Sequence, residues 1–290
     1  MHPHPLRYVD GLPRPDRALV MGVLNVTPDS FSDGGRYLDP GRALDRGRLL
    51  AAQGADLVDV GGESTRPGAE RPSEEEELAR VLPVVRGLAA EGVLVSVDTM
   101  RARVAGECVA AGAVLVNDVS GGRADERMLE EVARLGVPYV LMHWRAHAAR
   151  MARLTDYDDV VEDVVRELSA QLEAATAAGV EPAKVAVDPG IGFSKTGDQN
   201  WDVLGRLERL HDLGHPVLVA TSRKRFLGSL LADEHGGQRP PGGRDDATTA
   251  STALAAVAGA WCVRAHDVQA TADAVRVASR WAAASGTGRG

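Results

Sequence analysis

Two cysteines in 290 residues, Cys108 and Cys262, leave no basis for a disulfide framework or a zinc-type ligand cluster. They stand far apart, and two buried thiols in a reducing compartment are expected. Aromatic residues make up only 4% of the chain, with three phenylalanines. No apolar run approaches the roughly 20 residues that span a bilayer. The opening MHPHPLRYVDGLPRP is too polar and Pro-rich for a signal peptide. No Lys/Arg block stands out against a net charge of −8 and a pI of about 5.5, which argues against nucleic acid or an anionic membrane as partner. GxGxxG, HExxH and GxSxG are absent. GIGFSKT (190–196) has no Gly before Lys195, as a phosphate-binding P-loop would need. A cytoplasmic protein is expected.

What is present is ordinary globular material, 44% hydrophobic and 26% charged, enough for a large core. One unit recurs. A helical stretch ends at Gly, a short apolar run follows, and a polar loop comes next, as in AAQGADLVDVGGEST (51–65), AAEGVLVSVDT (89–99), AAGAVLVNDVSGG (110–122) and ARLGVPYVLMHWR (133–145). It continues in AAGVEPAKVAVDPGIGF (177–193), HDLGHPVLVATSRK (211–224) and AVAGAWCVRAHD (256–267). Continuous rather than alternating runs suit parallel strands buried on both faces. With ALVMGVL (18–24) they make eight. Helices are expected over 40–53, with Asp39 as N-cap and Pro40 first, and over 74–90, with Ser73 and Glu76 as a capping box. Others are expected over 100–111 (capped by Thr99), 124–135, 157–178, 198–212, 246–258 and 268–284. The alternation predicts an α/β fold, a (β/α)8 TIM barrel with a parallel eight-stranded core. One domain would cover 1–290, with 1–17 capping the bottom and 18–285 forming the barrel. Residues 233–244 read as a flexible surface loop, Glu74–Glu77 as a solvated first turn, and Trp201, Trp261 and Trp281 as packing residues.

Such barrels work at the C-terminal ends of their strands. Those ends carry Asn25, the 61–72 loop, Asp98, Asn117, Asp118, His143, Asp188, Ser222, Arg223, Lys224, Arg264 and His266. Helix capping accounts for Asp118, Asp267 and Thr99. It does not account for Asp98 and Asp188, which end apolar runs, or for Arg264 between Val263 and Ala265. Lys224, Arg264, His266 and Arg66 suit an anion. Asp98, Asn117 and Asp188 suit the N–H and C=O edge of a heterocycle, whose donors would offset the cost of burying two carboxylates. The rim therefore points to a ligand with a flat polar ring at one end and a phosphate at the other.

The blocks LNVTPDSFSDGG (24–35), GGESTRPGA (61–69), SVDT (96–99), NDVSGG (117–122), DPGIGF (188–193), SRKRF (222–226) and RAHDV (264–268) together resemble the dihydropteroate synthase family. MHWR, where Met-His-Met is commoner, and RAHDV for R-V-H-D-V are mild departures. The resemblance implies a transferase that joins 7,8-dihydropterin-6-ylmethyl diphosphate to 4-aminobenzoate, giving 7,8-dihydropteroate and pyrophosphate. It places Asp98, Asn117, Met142, Asp188 and Lys224 on the pterin. Asn25, Thr65, Arg66, Arg264 and His266 fall on the diphosphate, Asn25 through Mg²⁺. Phe31, Thr65, Pro67, Phe193, Lys224 and Arg225 fall around the aminobenzoate. Asp33, Asp98, Asp188, Lys224 and Arg264 would assist catalysis by dissociative loss of diphosphate, beneath mobile loops that exclude water. It further implies a homodimer and sulfonamides as inhibitors. Two alternatives share the pterin triad. One is a pterin-dependent methyltransferase barrel, which has no use for a diphosphate site. The other is a pterin-binding paralogue without synthase activity, which would not need both loops.

Overall fold

The structure is a computed structural model, and it describes residues 7–27, 39–63, 71–147 and 154–286. Eight strands alternate with helices: β1 (Leu19–Asn25), α1 (Pro40–Ala52), β2 (Leu57–Gly61), α2 (Glu74–Ala90), β3 (Val95–Asp98), α3 (Ala102–Ala110), β4 (Leu115–Asp118) and α4 (Met128–Leu135). Then come β5 (Tyr139–Met142), α5 (Val160–Ala177), β6 (Val185–Asp188), α6 (Gly197–Gly205), α7 (Glu208–His211), β7 (Leu218–Val219), α8 (Arg225–Leu230), α9 (Asp245–Val257), β8 (Cys262–Ala265) and α10 (Val268–Gly286). All pairings are parallel, in the order β6-β5-β4-β3-β2-β1-β8-β7. A parallel bridge between Val187 and Val217, with the Val187 amide donating to the Pro216 carbonyl at 2.9 Å, brings β6 to β7. The eight-stranded (β/α)8 barrel expected from the sequence is what forms.

Each strand is buried on both sides, and its two faces belong to different cores. Val58, Val60, Val97, Val116, Leu141, Val187 and Val263 pack under the helices. Leu19, Met21, Leu57, Leu115, Val140, Ala186, Leu218 and Cys262 meet inside the barrel. Burial of each such valine, leucine or methionine side chain contributes about 1.5–3 kcal/mol. Val9, Leu12 and Trp261 belong to the inner cluster, and the Asp10 amide donates to the Ala183 carbonyl just before β6 at 2.9 Å. The N-terminal segment therefore floors the barrel. The inward rows then change character. Two residues on from Leu57 is Asp59, from Leu115 Asn117, from Val140 Met142, from Ala186 Asp188, and from Cys262 Arg264. The lower storey is apolar, and the upper storey carries almost every charge of the interior.

Several local expectations need correction. The helix expected over 198–212 is two, because Arg206 leaves helical geometry (φ −120°, ψ 39°); its guanidinium pairs with Asp159 at 2.9 and 3.0 Å. Thr99 caps no helix. Its hydroxyl donates to Glu77 at 2.6 Å, and α3 starts at Ala102, whose amide donates to Asp125 at 2.9 Å. Glu77 is not solvated: it is buried and bonds Arg101. Trp281 is not a packing residue, since 70% of it is exposed on α10. Trp261 is buried, and Trp201 meets Phe226 edge-on at 4.8 Å. Cys108 and Cys262 are both free and buried.

Candidate active site

The parallel register aligns Asn25 with Gly61, Gly61 with Asp98, and Asp98 with Asn117 across four strands. Met142 lies beside Asp188 on the next pair. Arg264 reaches this row from β8. Its Nε donates to Asp59 Oδ2 and its Nη2 to Asp98 Oδ2, both at 2.6 Å. Asp59 also accepts from Ser96 Oγ at 2.6 Å and from Asn117 Nδ2 at 3.0 Å. Burial lowers the charged form of Arg264, but Asp59 and Asp98 outweigh this and hold it above its ordinary range. Burial pushes Asp98 up to about 7, against the pull of Arg264 and with the repulsion of Asp59. One cation thus serves two buried carboxylates, and one of those stays close to a proton at neutral pH.

The other side of the mouth is built by the β6–α6 loop. Asp188 Oδ1 accepts from the Gly190 amide at 2.7 Å. Gly190 and Gly192 have φ of +67° and +80°, and a Cβ on Gly192 would lie 2.7 Å from Lys224 Cδ. Glycine is therefore required both for the turn and for the lysine lying across it. Lys224 Nζ donates to the Ile191 carbonyl and stands 4.8 Å from the Phe193 ring centre. Burial brings Lys224 down to about 8, against Asp188. Burial raises Asp188, against Lys224. Phe193 and Trp144 pack against Met100, Val119 and Met142, an apolar wall beside the acceptors. Ser194 and Arg223 are the non-glycine residues with positive φ (45° and 58°) among those described. They adjoin Phe193 and Lys224, the two side chains that wall this half of the mouth, which is where backbone strain tends to be retained.

Some rim residues have other work. His143 follows the inward-facing Met142 and points outward. Its Nε2 bonds Glu167 at 2.8 Å and its Nδ1 takes a bond from Lys195 at 3.0 Å. Burial brings His143 down to about 4 and Lys195 to about 7. Lys195 also donates to the Gly190 and Phe193 carbonyls at 3.2 and 3.3 Å, tying down that loop from behind. Asp118 is consumed by Ser120, the Gly122 amide and Tyr139. Arg223 pairs with Asp245 through two bonds of 2.8 Å. His266 Nδ1 meets Ser222 Oγ at 2.9 Å, and Arg225 is exposed. Phe31, Asp33, Thr65, Arg66 and Pro67 lie outside the described residues. Asp59 and Ser96 were missed as site residues, although a charge flanked by valines, as in LVDVG, is the same anomaly that marks Arg264.

Chemically, the mouth offers acceptors at Asp98, Asp188 and Asn117, cations at Arg264 and Lys224, and an apolar wall. Among the described residues no three His, Cys, Asp or Glu side chains gather into a metal site. Asn25 Oδ1, a hard oxygen donor at the strand end, has no hydrogen bond among them. This fits a Mg²⁺ ion that arrives on phosphate oxygens and takes few protein ligands.

Residues 21–266 match the family model described as pterin binding enzyme. The dihydropteroate synthase of Mycobacterium leprae is 54% identical over 90% of this chain and 93% of its own length. The Xanthomonas albilineans dihydropteroate synthase with 4-aminobenzoic acid has a TM-score of 0.84 and 45% identity, covering 93% of this chain and 94% of that one. The same enzyme in complex with 7,8-dihydropteroate has a TM-score of 0.81 and 43% identity over the same shares. The Yersinia pestis dihydropteroate synthase with a sulfonamide drug has a TM-score of 0.87 and 40% identity, covering 96% and 99%.

Proposed function

The chain belongs to the dihydropteroate synthase family of pterin-binding enzymes, and from that premise we propose how its rim joins 7,8-dihydropterin-6-ylmethyl diphosphate to 4-aminobenzoate, releasing pyrophosphate. The observation that carries this reading is the convergence of Asp98, Asn117, Asp188, Lys224 and Arg264 on one mouth beside an apolar wall. Asp98, Asp188 and the Asn117 carbonyl take the N–H groups of the pterin, and Met142 packs on the ring. Lys224 and Phe193 border the aminobenzoate, with Phe31, Thr65, Pro67 and Arg225 supplying the outer contacts. Arg264, whose Nη1 has no hydrogen bond among the described residues, faces the diphosphate with His266, Thr65 and Arg66. Mg²⁺, carried on the diphosphate and completed by Asn25, would neutralise charge on the leaving group.

An arylamine is already neutral and nucleophilic at pH 7, so the barrier lies in breaking the C–O bond. We read the path as dissociative. The electron pair leaves with diphosphate, the pterin-methyl cation is delocalised into the ring, and the carboxylates of Asp98 and Asp188, with Asp33, stabilise it. Attack by the amine then forms the C–N bond and releases one proton. With both substrates and Mg²⁺, the protein should release pyrophosphate in step with dihydropteroate. Pterin binding without release would leave only a binding protein. Without aminobenzoate, positional exchange of the diphosphate oxygens is expected, and its absence in an active enzyme would sink the dissociative path.

Lys224 sets the alkaline limit. Because burial brings it to about 8, kcat/KM for the pterin diphosphate should fall about tenfold per pH unit above that point. In Lys224→Arg the limb should move beyond about pH 10, since a guanidinium keeps its proton there. A limb that stays in place in the variant would assign it to another group.

We also propose a homodimer. Leu254, Val277 and Trp281 are 70%, 65% and 70% exposed on α9 and α10, which pack together. Light scattering that reports a monomer would refute it. The two free thiols support a reducing, cytoplasmic setting, which cell fractionation would test. The likeness to a sulfonamide-bound relative supports sulfonamides as ligands of the aminobenzoate side; competition with 4-aminobenzoate would decide this.

A further inference from the structure

We propose that Asp59, a residue that need not touch the substrate, is the positioning residue of the pterin pocket: it decides which atoms the rim turns toward the ring. The inference rests on the pterin reading above and deepens it. Asp59 is fully buried, so no solvent competes for its oxygens. Oδ1 takes the Ser96 hydroxyl; Oδ2 takes both Asn117 Nδ2 and Arg264 Nε. A carboxylate only accepts, so all three partners must present donors to it. An asparagine there would turn its own N–H group on one of them.

Two consequences follow for the ligand. The Asn117 amide cannot rotate without placing its carbonyl against Asp59, so one Nδ2 hydrogen is held there and the carbonyl is turned away from Asp59 toward the pocket. With Asp98 and Asp188, the fixed Asn117 carbonyl makes the rim rich in acceptors, which favours a ring edge rich in N–H groups over one rich in acceptors. Second, the Nε edge of Arg264 is held by Asp59, so the guanidinium plane is fixed and Nη2 is directed at Asp98. The charge of Arg264 compensates the buried carboxylate, as a buried ion requires.

The test exchanges donor and acceptor. In Asp59→Asn the Asn117 amide loses its anchor; in Asn117→Asp two carboxylates face each other. Each should weaken binding of 6-hydroxymethylpterin, read by calorimetry, by about tenfold or more. In the double variant the amide at 59 donates to the carboxylate at 117, which still offers the pocket an oxygen. Most of the affinity should return, although neither change alone is tolerated. Losses that simply add would overturn the proposal, as would an unchanged affinity in Asp59→Asn. Should a single variant not fold, Ser96→Ala serves instead. It leaves every charge in place, removes one of the three donors, and should cost about threefold or more in affinity; an unchanged affinity would again overturn the proposal. If the parent protein itself fails to bind the pterin, it is the pterin reading that falls.

Discussion

Asp188→Asn should give a folded protein that has lost its hold on pterin. The substitution keeps the shape and one acceptor, so the Gly190 amide still has its partner across the 2.7 Å contact. Lys224 keeps the Ile191 carbonyl. What disappears is a buried charge and the second lone-pair oxygen, and in their place an N–H group meets the donors of the ring. Charge-assisted hydrogen bonds lost in a desolvated site cost about 3 kcal/mol or more, over about a hundredfold in Kd. Calorimetry with free pterin reads this, and a thermal melt beside it separates binding from folding. A variant that melts at room temperature would assign Asp188 to the architecture instead.

Arg264→Ala should behave in the opposite way, with folding and binding failing together. Asp59 and Asp98 share this guanidinium through two 2.6 Å bonds, and its removal leaves them buried without a counter-charge. Breaking one side of a buried ion cluster costs about 3–5 kcal/mol. The loss has a pH dependence with a definite sign. Asp98 already stands at about 7, because burial outweighs Arg264. Without the arginine it stands higher, so the folded variant holds a proton that the unfolded chain releases above about pH 4. Between about pH 4 and 7 both folded proteins hold that proton, so the deficit in melting temperature relative to the parent should be level there and widen as pH rises above about 7, where the parent's Asp98 releases its proton and the variant's does not. A deficit independent of pH would mean that Arg264 contributes packing rather than charge. The diphosphate substrate should also lose more affinity than free pterin, whereas equal losses would refute a phosphate role.

These two residues were legible in the sequence for one reason. Asp188 ends an apolar run and Arg264 interrupts one, and a charge in such a place has few structural explanations. Asp59 interrupts a run in the same way, but it sits two residues before the strand end and so beneath the rim that the strand ends mark. His143 shows the converse. It follows a strand end, yet side chains alternate along a strand, and the inward position belongs to Met142. Glu77 was hidden by its acidic neighbours, although it stands four residues before Val81 and seven before Val84, on the buried stripe of α2. The face that α10 leaves uncovered depends on how it meets α9, which no local pattern reveals, and so the exposure of Trp281 is not legible in the sequence. Seven of the eight strands were readable because each is a short apolar run after a Gly, whereas single helix starts hinge on side chains from elsewhere, as with Asp125 at Ala102.

The floor of the barrel has a practical side. Arg7 donates to the Gly214 carbonyl ahead of β7, and Ser279 on α10 donates to the Asp16 carbonyl, at 2.8 and 2.9 Å. The first described residues and the final helix are thus stitched together beneath the strands, at the opposite end from Asp98, Asp188 and Lys224. A tag, a fused enzyme or a sensor surface joined ahead of Arg7 or beyond α10 would leave the described barrel from this lower end, away from the mouth. Immobilised this way, the protein would meet its small molecules unobstructed.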